Sequence, residues 1–110
     1  MKLEFWYAPV KNLPAALAFY RDELGWNEAW REGDTTVSLM LPGTDVQLML
    51  DVGDTYEAGP IFTVDSVSSF RRERGALRWR HEPTEIPGGM LGGFEDESGN
   101  VVYVLDQSAT

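Results

Sequence analysis

The sequence predicts an α+β fold made of two βαβββ modules that form a curved mixed sheet around a concave cleft. Three observations lead there. Each half of the 110-residue chain runs from a short apolar stretch into an amphipathic helix and then into three further strand-like stretches. A glycine follows each helix, Gly25 in the first half and Gly75 in the second, where a chain leaves a helix most easily. Turn-forming Gly, Pro, Asn and Asp residues separate the strand-like stretches.

In the first half, "LEFWYAPV" (3–10) is aromatic-rich and closed by Pro9, which suits an edge or first strand. Asn12 reads as a helix N-cap and Pro14 fits the first turn, where its missing N–H costs nothing. Leu13, Leu17, Tyr20 and Leu24 recur at the spacing of one helix face. The strands "WNEAWRE" (26–32), "TTVSLML" (35–41) and "DVQLMLD" (45–51) follow, divided by Gly33-Asp34 and by Pro42-Gly43-Thr44. The second half repeats the order. "IFTV" (61–64) is a strand, and Asp65 or Ser66 caps a helix that turns Val67 and Phe70 inward. "ALRWRHE" (76–82), "MLGGFED" (90–96) and "NVVYVLD" (100–106) are strands divided by "PTEIPGG" and "DESG". In the latter turn, Gly99 or Asn100 supplies a positive φ. The pattern repeats although the residues do not, and it gives one domain over 1–110 with module one at about 1–56 and module two at about 57–110. Each sheet carries a helix on one face only, so its other face must be buried or line a ligand site.

Composition excludes several function classes. Hydrophobic residues make up 43% and charged residues 25%, the balance of a globular protein. No apolar run approaches the roughly 20 residues of a membrane span, and the N-terminus lacks the layout of a signal peptide. A cytoplasmic protein without membrane contact is expected. With no cysteine, disulfides, thiolate metal sites and cysteine nucleophiles are absent. The net charge of −9 opposes phosphate backbones, so no nucleic-acid partner is expected. The same charge serves solubility or, as a sharper alternative, a preference for cationic ligands.

"AFYRDELGW" (18–26) and "DESGN" (96–100), in this order within a repeated βαβββ plan, resemble the glyoxalase/bleomycin resistance/dioxygenase superfamily, also called vicinal oxygen chelate proteins. The resemblance spans essentially the whole chain. It implies a cleft in which metalloenzymes of the family place ligands on the first, fourth, fifth and eighth strands, around a cation that polarises two substrate oxygens. On this chain those positions fall at Phe5, at Gln47 or Met49, at Gly59 and at Tyr103. An amide and a phenol with a pKa near 10 make a poor donor set. No metal in the family's position, and no cofactor, is expected.

Such substitutions turn a charged trap into an aromatic, apolar pocket. Phe5, Tyr7, Gln47, Met49, Trp79 and Tyr103 are therefore the candidate ligand-binding residues. Trp79 is chosen among four tryptophans because alternation along "RWRHE" places Leu77, Trp79 and His81 on one face and Arg78 and Arg80 on the other. His81, the single histidine, is an acid/base candidate with no second group tied to it by sequence. The serines lack a nucleophile-elbow context, "PGGMLGG" (87–93) opens no helix and has no following lysine, and the acidic 96–98 turn is too short for a calcium loop.

The leading expectation is a metal-free, homodimeric member of the superfamily that binds and sequesters a small aromatic or cationic molecule. The alternative is a glyoxalase-like lyase or isomerase, or a dioxygenase-like enzyme, using displaced ligands such as Glu4, Asp51, Glu57 or His81. A metal-free variant of that alternative uses Tyr103 or His81 for acid/base chemistry. A third reading is an interaction module with an inert cleft.

Overall fold

The computed structural model describes residues 1–107, and contacts divide them into two compact units, Glu4–Ala58 and Met1–Leu3 with Gly59 onward. Both have the βαβββ order predicted above. In the first, β1 (Lys2–Val10) leads to α1 (Leu13–Leu17), then to β2 (Glu28–Glu32), β3 (Thr36–Met40) and β4 (Gln47–Val52). In the second, β5 (Gly59–Thr63) leads to α2 (Val67–Glu73), then to β6 (Arg78–Ile86), β7 (Gly89–Glu95) and β8 (Val101–Asp106).

The sheet of the first unit has the order β2-β3-β4-β1 and that of the second β6-β7-β8-β5. In each, the first strand of the module lies parallel to the last, and the other neighbours are antiparallel. The duplication that residue identity hides is therefore plain in strand pairing. A parallel pair needs a long crossover, which in each module contains the helix and the two strands between.

Asn12 caps α1 by accepting a hydrogen bond from the Ala15 N–H at 2.9 Å, and Ser66 caps α2 by accepting from the Ser69 N–H at 3.1 Å. Beyond Leu17 the first helix widens into a π-helical segment, Ala18–Glu23, in which the Leu24 N–H reaches back to the Phe19 carbonyl. A turn of this width shifts the faces that a 3.6-residue period predicts. Leu24, expected to point inward, is 47% exposed, and Trp26 packs against the core beside Tyr20 instead. Gly25 leaves the helix at φ 78°, as predicted, but Gly75 adopts no positive φ, and Arg74 ends α2 in its place.

The core of the first unit sits between α1 and one face of its sheet, where Leu13 and Leu17 meet Val37, Leu39, Leu48 and Leu50. The equivalent core of the second unit joins Val67 and Phe70 to Val104, with Trp79, Met90 and Phe94 packed around them. Asp106, 2% exposed, ties α2 to this sheet: its carboxylate accepts from the Val67 N–H at 2.6 Å and from the Met90 N–H at 3.0 Å. The "PTEIPGG" stretch is no loop. β6 continues through Ile86, and the turn into β7 is confined to Pro87 and Gly88, the latter at φ 87°. Gly99, not Asn100, supplies the positive φ of the β7–β8 turn. Among the described residues no helix is long and apolar enough to cross a membrane.

Candidate functional site

In each unit the helix covers one sheet face, and strand alternation assigns every other residue to the opposite one. On the first unit this helix-free face is built by pairing. Phe5 lies beside Gln47 and Tyr7 beside Met49 on the parallel β1–β4 pair, while Met49 faces Ser38 and Asp51 faces Thr36 across β3–β4. Trp30 lies opposite Ser38, after a register shift between Glu28 and Trp30. The predicted candidates Phe5, Tyr7, Gln47 and Met49 thus share one face.

Two hydrogen-bonded nodes organise that face. Gln47 Oε1 accepts from the Trp30 indole N–H at 2.8 Å and from the Ser38 hydroxyl at 2.7 Å. Asp51 accepts from the Tyr7 hydroxyl and from the Thr36 hydroxyl, both at 2.6 Å. Aromatic edges frame the nodes: Phe5 meets Trp30 edge to face with centroids 6.3 Å apart, and Tyr7 meets Tyr56 in the same way at 6.1 Å. Ser38 is fully buried and Phe5 nearly so, which fixes the floor, while Trp30, Gln47 and Met49 are half-buried. The result is an amphipathic surface with polar atoms at defined points.

On the second unit, Tyr103 occupies the centre of the helix-free face and is 1% exposed. Its ring lies over glycines. A Cβ on Gly93 would stand 2.9 Å from Tyr103 Cδ1, and one on Gly59 would stand 3.6 Å from Cε2 and 2.5 Å from the Val101 carbonyl oxygen. Two strands thus dispense with side chains where the phenol packs. The His81 ring stacks on Tyr103 with centroids 6.0 Å apart and planes at 23°. Burial makes Tyr103 part of the packed interior rather than an open wall.

Trp79 requires a correction. Alternation places it on the face of His81, but the β6–β7 register shifts between Trp79 and His81. Such a bulge inserts a residue and exchanges faces beyond it. His81 consequently meets Tyr103, whereas Trp79 turns to the helix side, edge to face with Phe70 at 6.1 Å and with Phe94 at 5.3 Å. Its indole N–H donates to the Arg74 carbonyl at 3.1 Å, and the Arg71 guanidinium lies 5.2 Å from the ring centre. The Arg71–Glu82 ion pair closes this cluster at 2.8 Å, and the Glu82 carboxyl is held below its ordinary value by that hydrogen bond. Trp79 packs β6 against α2.

The fit of a metal ion is decided by donor chemistry. Phe5 and Gly59 offer no donor, Gln47 has committed its oxygen, and the Tyr103 phenol is packed between glycine and imidazole. Among the described residues no three His, Cys, Asp or Glu side chains group as a metal site. Glu4, Asp51, Glu57 and His81 are accordingly not grouped three together there. These residues do not fit a divalent cation.

Reasoning from sequence missed Trp30, Thr36, Ser38 and Tyr56, and named Asp51 only as a displaced ligand. For Thr36 and Ser38 the signal existed, because Val37 and Leu39 alternate with them in "TTVSLML". Trp30 depends on a register shift that alternation does not reveal.

The Glyoxalase/Bleomycin resistance protein/Dioxygenase superfamily matches residues 5–104 of the chain. No curated protein matches it. Among solved structures, the chain is similar to the NAD-dependent benzaldehyde dehydrogenase from Legionella pneumophila, with 17% identity over 94% of this chain and 98% of that one, at a TM-score of 0.78. It is also similar to the hypothetical protein BH1468 from Bacillus halodurans C-125, with 13% identity over 99% and 96% and a TM-score of 0.67. A third likeness is to methylmalonyl-CoA epimerase from Mycobacterium tuberculosis, with 17% identity over 97% and 88% and a TM-score of 0.62. At such identities the likeness is one of fold.

Proposed function

Because the chain belongs to the glyoxalase/bleomycin resistance protein/dioxygenase superfamily, we propose that it binds a small planar organic molecule without a metal ion at the family's ligand positions. Its role in this proposal is sequestration. The observation that carries the reading is the helix-free face of the first unit, where Phe5, Trp30, Tyr7, Tyr56 and Met49 surround hydrogen-bonded polar nodes that contain no metal donor set. Aromatic surface, buried at Phe5 and Tyr7 and half-buried at Trp30 and Tyr56, with few oriented polar groups is the usual composition of a ligand site, and indole and phenyl rings favour flat partners. Fold alone does not choose an activity, since one neighbour is an epimerase and another is described as a dehydrogenase.

The proposal includes a homodimer in the cytoplasm. Trp6, Phe19 and Leu24, 44%, 50% and 47% exposed, supply apolar surface that a second copy would cover.

Elemental analysis tests the reading. Purified protein is equilibrated with manganese, iron, nickel or zinc and then desalted; occupancy far below one ion per chain is expected, and about one retained ion would overturn it. A second reading rests on the stacked His81–Tyr103 pair, which places an imidazole against a phenol and would serve metal-free acid/base chemistry. Turnover lost in His81→Gln with ligand affinity retained would favour that reading.

A further inference from the structure

Hydrogen-bond accounting at Gln47 identifies what the ligand must offer. An indole N–H can only donate, so the atom of Gln47 that faces Trp30 Nε1 at 2.8 Å must be the amide oxygen. The same oxygen faces the Ser38 hydroxyl at 2.7 Å, and both of its lone pairs are then engaged. Orientation of the amide is thereby fixed by chemistry, not by choice. Its nitrogen, with two N–H donors, is turned away from both partners and meets no acceptor among the described residues. Among the described residues no fully buried polar side-chain atom lacks a partner, so this nitrogen is not shut off from solvent.

Three further observations narrow the ligand. Gln47 shares its sheet face with Phe5, its partner on β1, and accepts from the Trp30 indole at 2.8 Å, so aromatic surface adjoins the amide. Asp51 lies two pairs along the same β4 face, and the chain carries a net charge of −9, both of which disfavour an anion. A cation at Gln47 would meet N–H donors rather than acceptors, while the Asp51 carboxylate already accepts two hydroxyls.

We propose that the Gln47 amide nitrogen is the specificity-determining donor of this site, and that the ligand is a neutral, planar molecule whose carbonyl oxygen it holds beside Trp30 and Phe5. This replaces the cationic ligand that net charge alone favours. It rests on the proposed function, because it presupposes that the first unit's helix-free face binds small molecules. The holding cost is low: Gln47 is immobilised before the ligand arrives, so little side-chain entropy remains to be lost on binding.

The test uses a matched set of probes, 1-indanone, indane and 1-aminoindane, which share a bicyclic frame and present a carbonyl, no polar group and an ammonium. Each is titrated into the full chain while the Trp30 indole and Gln47 side-chain amide signals are followed by 15N NMR. The expected order is 1-indanone tightest, about fivefold over indane, as one net hydrogen bond provides. Gln47→Glu keeps an oxygen for Trp30 and Ser38 but replaces the donors by an acceptor, and should weaken 1-indanone about tenfold while leaving indane within about twofold. An unshifted Trp30 indole signal in the free variant shows that its node is intact; if Gln47→Glu disturbs the fold, Gln47→Met supplies the donor-free comparison. Equal affinity for 1-indanone and indane, tighter binding of 1-aminoindane, or a variant that binds 1-indanone unchanged would overturn the assignment and leave the site standing. If none of the probes moves a resonance on this face, the functional reading itself fails.

Discussion

Gly93→Ala would place a methyl group against the face of the Tyr103 ring. The added Cβ would lie 2.9 Å from Cδ1, 3.0 Å from Cε1 and 3.2 Å from His81 Cδ2, whereas carbon atoms rest at about 3.5–4.0 Å. The ring is 1% exposed and stacked on His81, so it has little room to retreat. Overpacking of this kind costs about 1–3 kcal/mol, and the lower backbone entropy of alanine returns about 0.5 kcal/mol, leaving a net loss of about 0.5–2.5 kcal/mol. For a chain of this length that lowers Tm by about 2–11 °C. Urea unfolding of four proteins resolves the cause: wild type, Gly93→Ala, Tyr103→Leu and the double variant. Removing the ring removes the obstacle, so Gly93→Ala should cost almost nothing in the Tyr103→Leu background, with a coupling of about 0.5–2.5 kcal/mol. Equal destabilisation in both backgrounds, or none in either, would refute the packing of Tyr103 on Gly93.

Asp106→Ala should destabilise the fold by about 2–4 kcal/mol in the same unfolding assay, because the Val67 and Met90 N–H groups lose a buried acceptor; accelerated hydrogen exchange at those two amides would locate the loss. The Asp96 carboxyl is held below its ordinary value, first by the Asn100 side-chain amide at 2.9 Å and then by the Asn100 backbone N–H. A depressed folded-state value means that its contribution to the β7–β8 turn is complete above the ordinary carboxylate range and is lost as pH falls through the folded value. Asn100→Ala should therefore move the Asp96 titration midpoint upward by NMR, and an unchanged midpoint would contradict the assigned cause.

What the sequence made legible is local chemistry. Asn12 and Pro14 at the start of α1, Gly25 after the π-helical segment that continues it and Gly99 in the last turn each announce a backbone requirement that few residue types satisfy. Duplication was legible as order, and alternation brought Phe5, Tyr7, Gln47 and Met49 to one face. Alternation failed wherever the period itself changed. The π-helical segment after Leu17 exposed Leu24, and the shift between Trp79 and His81 sent those two rings to opposite faces. Neither leaves a mark in composition, because the choice is made by packing: Trp79 fills space beside Phe70 and Phe94 that only the folded module creates. The glycines of β7 were legible only as no phosphate loop, whereas Gly92 and Gly93 serve as close-approach positions under Trp79 and Tyr103. The Gln47 node was partly hidden for the same reason, since Trp30 reaches it only across a shifted strand pair.

Binding of organic ligands by the metal-free chain is the property from which the other proposed properties of this site follow. The most direct measurement is a fragment screen on chelator-treated protein, read by 15N NMR with the Trp30 indole and the Gln47 amide assigned. Planar neutral fragments should shift these two signals together with the Phe5, Tyr7 and Met49 amides, and adding a divalent cation should leave the affinities unchanged. Hits that appear only after a cation is added, or a broad screen that leaves this face unmoved, would contradict this expectation.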